Sequence, residues 1–343
     1  MSVLFIHPPL QSEVSGGNIF NRHIIQEAKA FGYPLVSVCV SGPRQYTVLG
    51  GEILRAQLRL VIWDSLLLDW LAEHPWTSST IQQALLVHYL PSLNPSLEQA
   101  SMRQNKHLEN QAIRNCGRLI ATGFTLFRIL AKCYPDKALF LCRPGVDNFF
   151  RARAQNEARP ENSPNIDLIS VANVLPDKGY LDLLEALTHL TALPWTWHIA
   201  GSQHVDPAFS ECFRKTAFAM RLIPRIVFHG PLGQERLALL LAEMDLFVQA
   251  SRQESYGMAL AEAVAAGLPV ISTDTGAAEE LIVDRHNGFL VPAADPRALQ
   301  NALKELIGSP ELRAQFRQKN STRPTITWTS CFEQFKYACD FNP

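Results

Sequence analysis

The sequence contains no Cys-x-x-Cys pair. Its seven cysteines, Cys39, Cys116, Cys133, Cys142, Cys212, Cys331 and Cys339, are scattered. That excludes a zinc ribbon and a disulfide framework, and it suits buried thiols in a reducing compartment. No apolar run approaches the ~20 residues of a transmembrane helix. The start, Met-Ser-Val-Leu-Phe-Ile-His-Pro-Pro, lacks a basic n-region and carries too short an apolar run for a signal peptide. These absences predict a cytoplasmic protein. An excess of charge is also lacking: the net charge is -1, which argues against nucleic acid as the main partner. There is no Gly-x-Ser-x-Gly elbow, no His-Glu-x-x-His and no Asp-x-Asp, so the expected chemistry is metal-independent, with no cofactor. Internal repeats and low-complexity runs are missing too.

What is present is a globular composition, 47% hydrophobic and 18% charged over 343 residues, long enough for two domains. Residues 1–150 carry 13 Lys/Arg and 10 Asp/Glu, a surplus of +3, whereas the remainder carries 18 and 22, a surplus of -4. A mildly basic first half is compatible with anionic ligands or with peripheral contact at the inner face of a membrane.

Short β-forming runs alternate with helical patterns. Val3–His7, Leu35–Val40, a segment within Leu58–Leu68, Ala84–Tyr89, Leu119–Thr122 and Ala138–Leu141 read as strands, with Ile19–Ala30, Leu97–Asn115 and Phe124–Lys132 as helices. Arg151–Pro164 is charged, bounded by proline and free of aliphatic runs, and reads as a linker. A second series follows, with strands at Ile166–Val171, Trp195–Ala200, Arg225–Phe228, Leu246–Gln249, Val270–Ser272 and Gly288–Val291. Its helices are expected at Tyr180–Leu190, Glu211–Arg221, Glu235–Glu243, Glu279–Val283 and, last in this half, Leu299–Ile307. Thr327–Tyr337 forms an amphipathic tail. The fold class is α/β, two Rossmann-like halves in tandem with their sheets facing across a cleft.

One stretch, Ser251 to Gly267, concentrates polar chemistry. Gly257 marks the start of an Ala-rich helix and Gly267 its end. A glycine loop opening into a helix suits a phosphate, and Glu254 and Glu262 flank it as candidate ligands for hydroxyl groups. The alternative is a core helix with two solvated glutamates. Elsewhere, Gly16-Gly17 follows the first strand but lacks a third glycine and a P-loop lysine, so it is either a plain turn or a ligand loop without dinucleotide or ATPase character. His88 closes a strand, either as a structural histidine or as a contact to a polar substrate. Lys178, in Pro176-Asp177-Lys178-Gly179, is either solvated or placed to neutralise a diphosphate. Gly276, Glu280 and Asn287-Gly288 read as turn elements.

Taken together these residues resemble the family 4 glycosyltransferases, retaining enzymes of the GT-B fold, over nearly the whole chain. Glu254-Ser-Tyr-Gly257 with Glu262-Ala-Val-Ala-Ala-Gly-Leu-Pro-Val270 is similar to the family's donor-site signature, two glutamates separated by seven residues. Arg143-Pro-Gly-Val-Asp147 resembles the segment closing the first domain. The resemblance implies that Glu262 binds the ribose hydroxyls of a nucleotide. It implies that Glu254, with the amides of Tyr256, Gly257 and Met258, holds the donor sugar and the adjacent phosphate, and Ser255 and Arg252 stand beside them in the donor site. His88 would contact the sugar from the first domain, Gly16 and Gly17 would approach the diphosphate or acceptor, and Lys178 would stabilise the leaving diphosphate. Glu254, Lys178 and His88 are thus the catalytic candidates. The implied domains are residues 1–150, residues 165–326 and a returning helix over 327–343.

Asn173 departs from the family pattern, standing where an arginine is usual. Asparagine donates hydrogen bonds but supplies no charge, and Arg252 and Arg22 are candidate substitutes. The implied activity is transfer of a sugar from a nucleoside diphosphate to a glycan, lipid-linked or small-molecule acceptor. A non-catalytic sugar-nucleotide-binding protein and a sugar-nucleotide epimerase are the alternatives.

Overall fold

The computed structural model describes residues 2–10, 15–41, 57–73, 81–94, 97–156 and 165–341. The chain divides into two compact units, Met1–Gly145 with Ile326–Pro343, and Val146–Thr325.

The first unit is built on a six-stranded parallel sheet. Its strands are β1 (Ser2–His7), β2 (Leu35–Cys39), β3 (Leu58–Asp64), β4 (Gln82–Val87), β5 (Arg118–Ala121) and β6 (Ala138–Leu141). The helices are α1 (Gly16–Ala30), α2 (Leu68–Glu73), α3 (Gln99–Arg114) and α4 (Phe124–Cys133). The strand order is β2-β1-β3-β4-β5-β6, so the chain leaves β1 to one side and then restarts on the other, making a switch point between β1 and β3. Near-continuous apolar runs explain the strands: Val3, Phe5, Ile62, Trp63 and Leu85 are all fully enclosed, as a parallel sheet covered on both faces requires. β3 stops at Asp64 because that side chain accepts from the Leu66 amide at 2.7 Å and starts a 3₁₀ turn over Ser65–Leu67.

The last helix of the chain, Trp328–Asp340, belongs to this first unit. Its Trp328 ring stacks on His23 with centroids 4.0 Å apart, and Phe335 meets Phe5 at 6.1 Å. Gly145 passes so close to the Trp328 backbone that no Cβ fits there.

The second unit carries β7 (Ile166–Val171), β8 (Trp195–Ala200), β9 (Ile226–Gly230), β10 (Leu246–Gln249), β11 (Val270–Thr273) and β12 (Gly288–Val291). All pair in parallel in the order β12-β11-β10-β7-β8-β9. Its switch point lies between β7 and β10. The sheet packs an aromatic group of Tyr180, Trp197 and Phe213 on one side. On the other it packs Phe247 and the Ala-rich segment around Leu260.

Three expectations need correction. The segment from Arg151 does not begin a linker: it continues a helix over Asn148–Asn156, anchored by Phe150, which is 1% exposed. Enclosing such a ring contributes about 1.5–3 kcal/mol, and residues 157–164 lie outside the described residues. The helices expected from Glu211 and Leu299 begin earlier, at Pro207 and Pro296, because Asp206 and Asp295 cap them by accepting from Phe209 and Ala298 amides, each at 2.9 Å. The latter is not the last helix of its half, since Ser309 caps a further one, Pro310–Ser321. All three begin with an Asp-Pro or Ser-Pro step, a helix-start signal. Among the described residues no helix is long and apolar enough to cross a membrane.

Candidate active site

In open parallel sheets, ligands bind beyond the carboxyl ends of the strands at the switch point. In the second unit that place is defined by the loops after β7 and β10. The β7 loop runs through Asn173 to a 3₁₀ turn, Pro176–Lys178, and ends at Gly179 in the left-handed region at φ 66°. A side chain at Gly179 would collide with the Ala250 carbonyl, so glycine here lets the two loops touch. Tyr180 fastens the same loop from below, its hydroxyl donating to the Ala172 carbonyl at 2.7 Å.

That contact brings the two candidate catalytic groups of this unit together. Lys178 Nζ donates to Glu254 Oε1 at 2.8 Å and lies 3.6 Å from Asp177. Ser251 Oγ donates to the same Glu254 oxygen at 2.8 Å, and Thr273 holds the Ser251 carbonyl at 2.6 Å. Burial works against the Lys178 charge, but Glu254 and then Asp177 outweigh it, so the ammonium's pKa is raised. Lys178 is therefore a fixed cation rather than a base.

Behind Glu254 the chain turns into a helix over Met258–Ala265, and the residue before it, Gly257, has φ 92° and offers no capping side chain. Ser255 and Met258 are half-buried and Tyr256 is buried. Gly276, at φ 59°, leaves space for this turn: a Cβ there would lie 2.7 Å from Glu254 Cβ and 2.8 Å from the Tyr256 carbonyl. The Ala277 amide donates to that carbonyl at 2.8 Å. Expected as a turn element, Gly276 presses directly on the glutamate.

Glu262 lies in the same helix but outside the Lys178–Glu254–Ser251 hydrogen-bond set. It is 4% exposed. Burial pushes its carboxyl up to about 8, against a hydrogen bond from Gln234 and with a contribution from Asp147. Asn173 is also engaged, its Oδ1 accepting from the Ser202 amide at 2.9 Å. Neither proposed substitute for the missing cation is free. Arg252 makes a two-pronged pair with Asp182, Nε and Nη2 donating at 3.0 and 2.8 Å, while Arg22 donates to the Leu10 carbonyl at 3.2 Å. Asp182 went unnoticed in the sequence because nothing local marks a helix-borne aspartate as the partner of an arginine 70 positions away.

The first unit gathers a second cluster at its own switch point. Gly17 lies beside His88, where a Cβ would sit 3.5 Å from the His88 ring and 3.2 Å from Leu66. The His88 amide donates to Ser65 Oγ at 2.8 Å and Nε2 meets Asn21 Oδ1 at 3.0 Å. Asn21 in turn donates to the buried carboxylate of Asp64. Asn21 and Asp64 were missed; the carboxyl-end rule that singled out His88 applies equally to Asp64, the last residue of β3.

A family model described as glycosyl transferases group 1 matches residues 152–323, half of the chain, and the chain belongs to that family. Among curated relatives, it is 29% identical over 231 residues to a D-inositol 3-phosphate glycosyltransferase of Streptomyces scabiei, covering 60% of this chain and 50% of that protein. It is 33% identical over 121 residues to the lipopolysaccharide core biosynthesis mannosyltransferase LpcC of Rhizobium leguminosarum, covering 34% and 33%. The chain thus spans half or less of the length of these relatives. Among solved structures, sucrose-phosphate synthase from Thermosynechococcus elongatus matches with a TM-score of 0.82 at 18% identity, over 98% of this chain and 97% of that one. Anabaena HepE, in complex with UDP and glucose, matches with a TM-score of 0.77 at 16% identity over 100% of both chains. The fold is GT-B, with one six-stranded parallel sheet in each unit.

Proposed function

We propose that the chain is a retaining glycosyltransferase of family 4 that moves a sugar from a nucleoside diphosphate to an acceptor hydroxyl without a metal ion. The observation that carries this reading is the Lys178–Glu254 pair at 2.8 Å, held at the switch point beside the uncapped start of the Met258–Ala265 helix. In this reading the donor diphosphate lies against the amides of Tyr256, Gly257 and Met258, where the helix dipole favours an anion. Lys178 neutralises charge as it builds on the leaving diphosphate. Glu254 takes hydroxyls of the sugar, and Glu262 takes those of the ribose. The HepE structure with UDP and glucose and the glycosyltransferase relatives support a nucleotide-sugar donor.

Glu254 Oε1 already accepts from both Lys178 and Ser251, which weakens it as a covalent nucleophile. We therefore favour same-face displacement. The bond from anomeric carbon to phosphate oxygen breaks, the acceptor oxygen bonds to that carbon on the same face, and its proton passes to the departing phosphate. Positioning and charge stabilisation then supply the rate. The test is incubation with a panel of nucleotide sugars and acceptors, followed by NMR of the product's anomeric configuration. A retained configuration is expected, and an inverted one overturns the mechanism. Donor incubated without acceptor separates the alternatives: epimerised donor indicates an epimerase, and binding without transfer or slow hydrolysis indicates a binding protein.

A further inference from the structure

We propose that Asn21, oriented by Asp64, is a positioning residue that keeps the His88 proton on Nε2 and leaves Nδ1 as a hydrogen-bond acceptor for a substrate hydroxyl. This rests on the reading that assigns His88 to the sugar, and it adds what the ring presents to it.

The Asp64 carboxylate is fully buried at the end of β3. One oxygen accepts from the Leu66 amide at 2.7 Å, and the other accepts from Asn21 Nδ2. A carboxylate oxygen only accepts, so the nitrogen of the Asn21 amide must face it. The amide oxygen is thereby turned toward His88, 3.0 Å from Nε2. An amide oxygen also only accepts, so Nε2 must carry a hydrogen. In a neutral imidazole the other nitrogen then holds a lone pair.

The ring has little freedom to escape this arrangement. Its backbone amide is tied to Ser65 Oγ at 2.8 Å, and Phe20 packs edge-on with centroids 5.0 Å apart at 78°. Gly17, near the N-terminus of α1, lies beside the ring without a side chain. Among the described residues the only hydrogen bond of the His88 side chain is the one to Asn21. Asp64 thus bears on His88 in two ways: it sets the amide that sets the tautomer, and its Oδ2 lies 3.6 Å from Nε2, on the side where the proton is held. A sugar hydroxyl, which can donate, matches the lone pair this leaves on Nδ1.

The test uses the full chain with ¹⁵N-labelled histidine and long-range ¹H–¹⁵N correlation, the His88 signals being identified by their loss in His88→Gln. For the neutral ring of the wild type, Nε2 is expected to be protonated and Nδ1 unprotonated; the reverse pattern overturns the proposal. In Asp64→Asn the Asn21 amide is no longer forced into one orientation. The expected result is a mixed or reversed tautomer and a fall in kcat/KM on the order of 10-fold to 100-fold, as misplacement of a substrate contact produces. Asn21→Ser, which removes the amide oxygen, serves as the second variant should Asp64→Asn fail to fold, and the same change is expected. An unchanged tautomer in a folded variant overturns the positioning role. A changed tautomer with unchanged turnover keeps that role and overturns the assignment of His88 to the substrate.

Discussion

Lys178 Nζ lies 2.8 Å from Glu254 Oε1, a contact between the loops that follow β7 and β10. The two residues are 76 positions apart in sequence, and their meeting depends on Gly179 giving way to the Ala250 carbonyl. The contact anchors the glutamate, and under the proposed function it would also place a cation against the leaving diphosphate.

Lys178→Met removes both functions, and kcat is expected to fall by about 10²–10³, the loss seen when one preorganised stabilising group is deleted. Lys178→Arg retains charge but replaces a compact ammonium with a planar fork, and only partial recovery is expected. Because the Lys178 pKa is raised, the stability drawn from this pair is complete below the ordinary lysine value and is lost only as pH rises through the higher folded value. Steady-state kinetics of the variants, with a stability profile extended into alkaline pH, checks both statements.

Gly179→Ala tests the contact itself. The left-handed φ costs roughly 1–2 kcal/mol for a residue with a Cβ, and the collision with Ala250 adds to it, for a total of about 3 kcal/mol. Gly308 makes the contrast. It ends a helix and a Cβ there meets nothing within 4 Å, so Gly308→Ala is expected to be neutral or to stabilise by about 0.5 kcal/mol. Denaturant unfolding of the two variants gives the comparison directly.

These glycines also show how far the sequence could be read. Alternating apolar runs with glycine loops between them were enough to place both sheets, because burial on both faces of a parallel sheet leaves an unmistakable pattern. The loops bearing Lys178 and Glu254 were legible for the same reason, as they stand at strand ends. What stayed hidden was partnership. The hold of Asn21 on His88 and of Asp182 on Arg252 comes from chain segments 67 and 70 residues apart, and no local pattern records it. The helix over Asn148–Asn156 has no aliphatic residues to mark it, and it is held by Phe149, Phe150 and the hydrogen bond from Arg151 to the Arg323 carbonyl. The Ser309-Pro310 step, by contrast, is a helix-start signal legible in the sequence.

Glu262 makes stability depend on pH with an unusual sign. Its folded-state value of about 8 stands above the ordinary value of 4.5, so the native state holds a proton that the unfolded chain releases. Stability is therefore complete below about 4.5 and declines as pH rises to about 8. The limiting slope is about 1.4 kcal/mol per pH unit. Glu262→Gln keeps the shape without the titration, so its thermal midpoint should match the wild type near pH 4 and exceed it at pH 8. The same substitution should weaken donor affinity if the Glu262 carboxyl group binds ribose. Melting curves from pH 4 to 8, and calorimetric titration with UDP, measure the two effects separately.

The pairing of Arg252 with Asp182 braces the loop that carries Glu254. Arg252 stands inside the signature stretch, and its amide donates to the Asp177 carbonyl at 2.7 Å while its guanidinium grips Asp182 with two hydrogen bonds. It thus ties the loop carrying Glu254 both to the Lys178 turn and to the helix over Tyr180–Thr188. A guanidinium already satisfied in this way is a brace rather than a free charge for phosphate. Asp182→Asn should lower stability by about 1 kcal/mol or less, because the arginine is 42% exposed and solvent screens the pair. Arg252→Ala should cost about 1–3 kcal/mol, because it leaves the largely buried Asp182 carboxylate without its partner. Each should reduce kcat modestly by loosening the position of Glu254. The double variant should be no worse than the worse single one, since both remove the same contact. Were Arg252 acting on the diphosphate directly, Arg252→Ala would lower kcat far more than Asp182→Asn, and the double-mutant cycle would show no coupling in turnover.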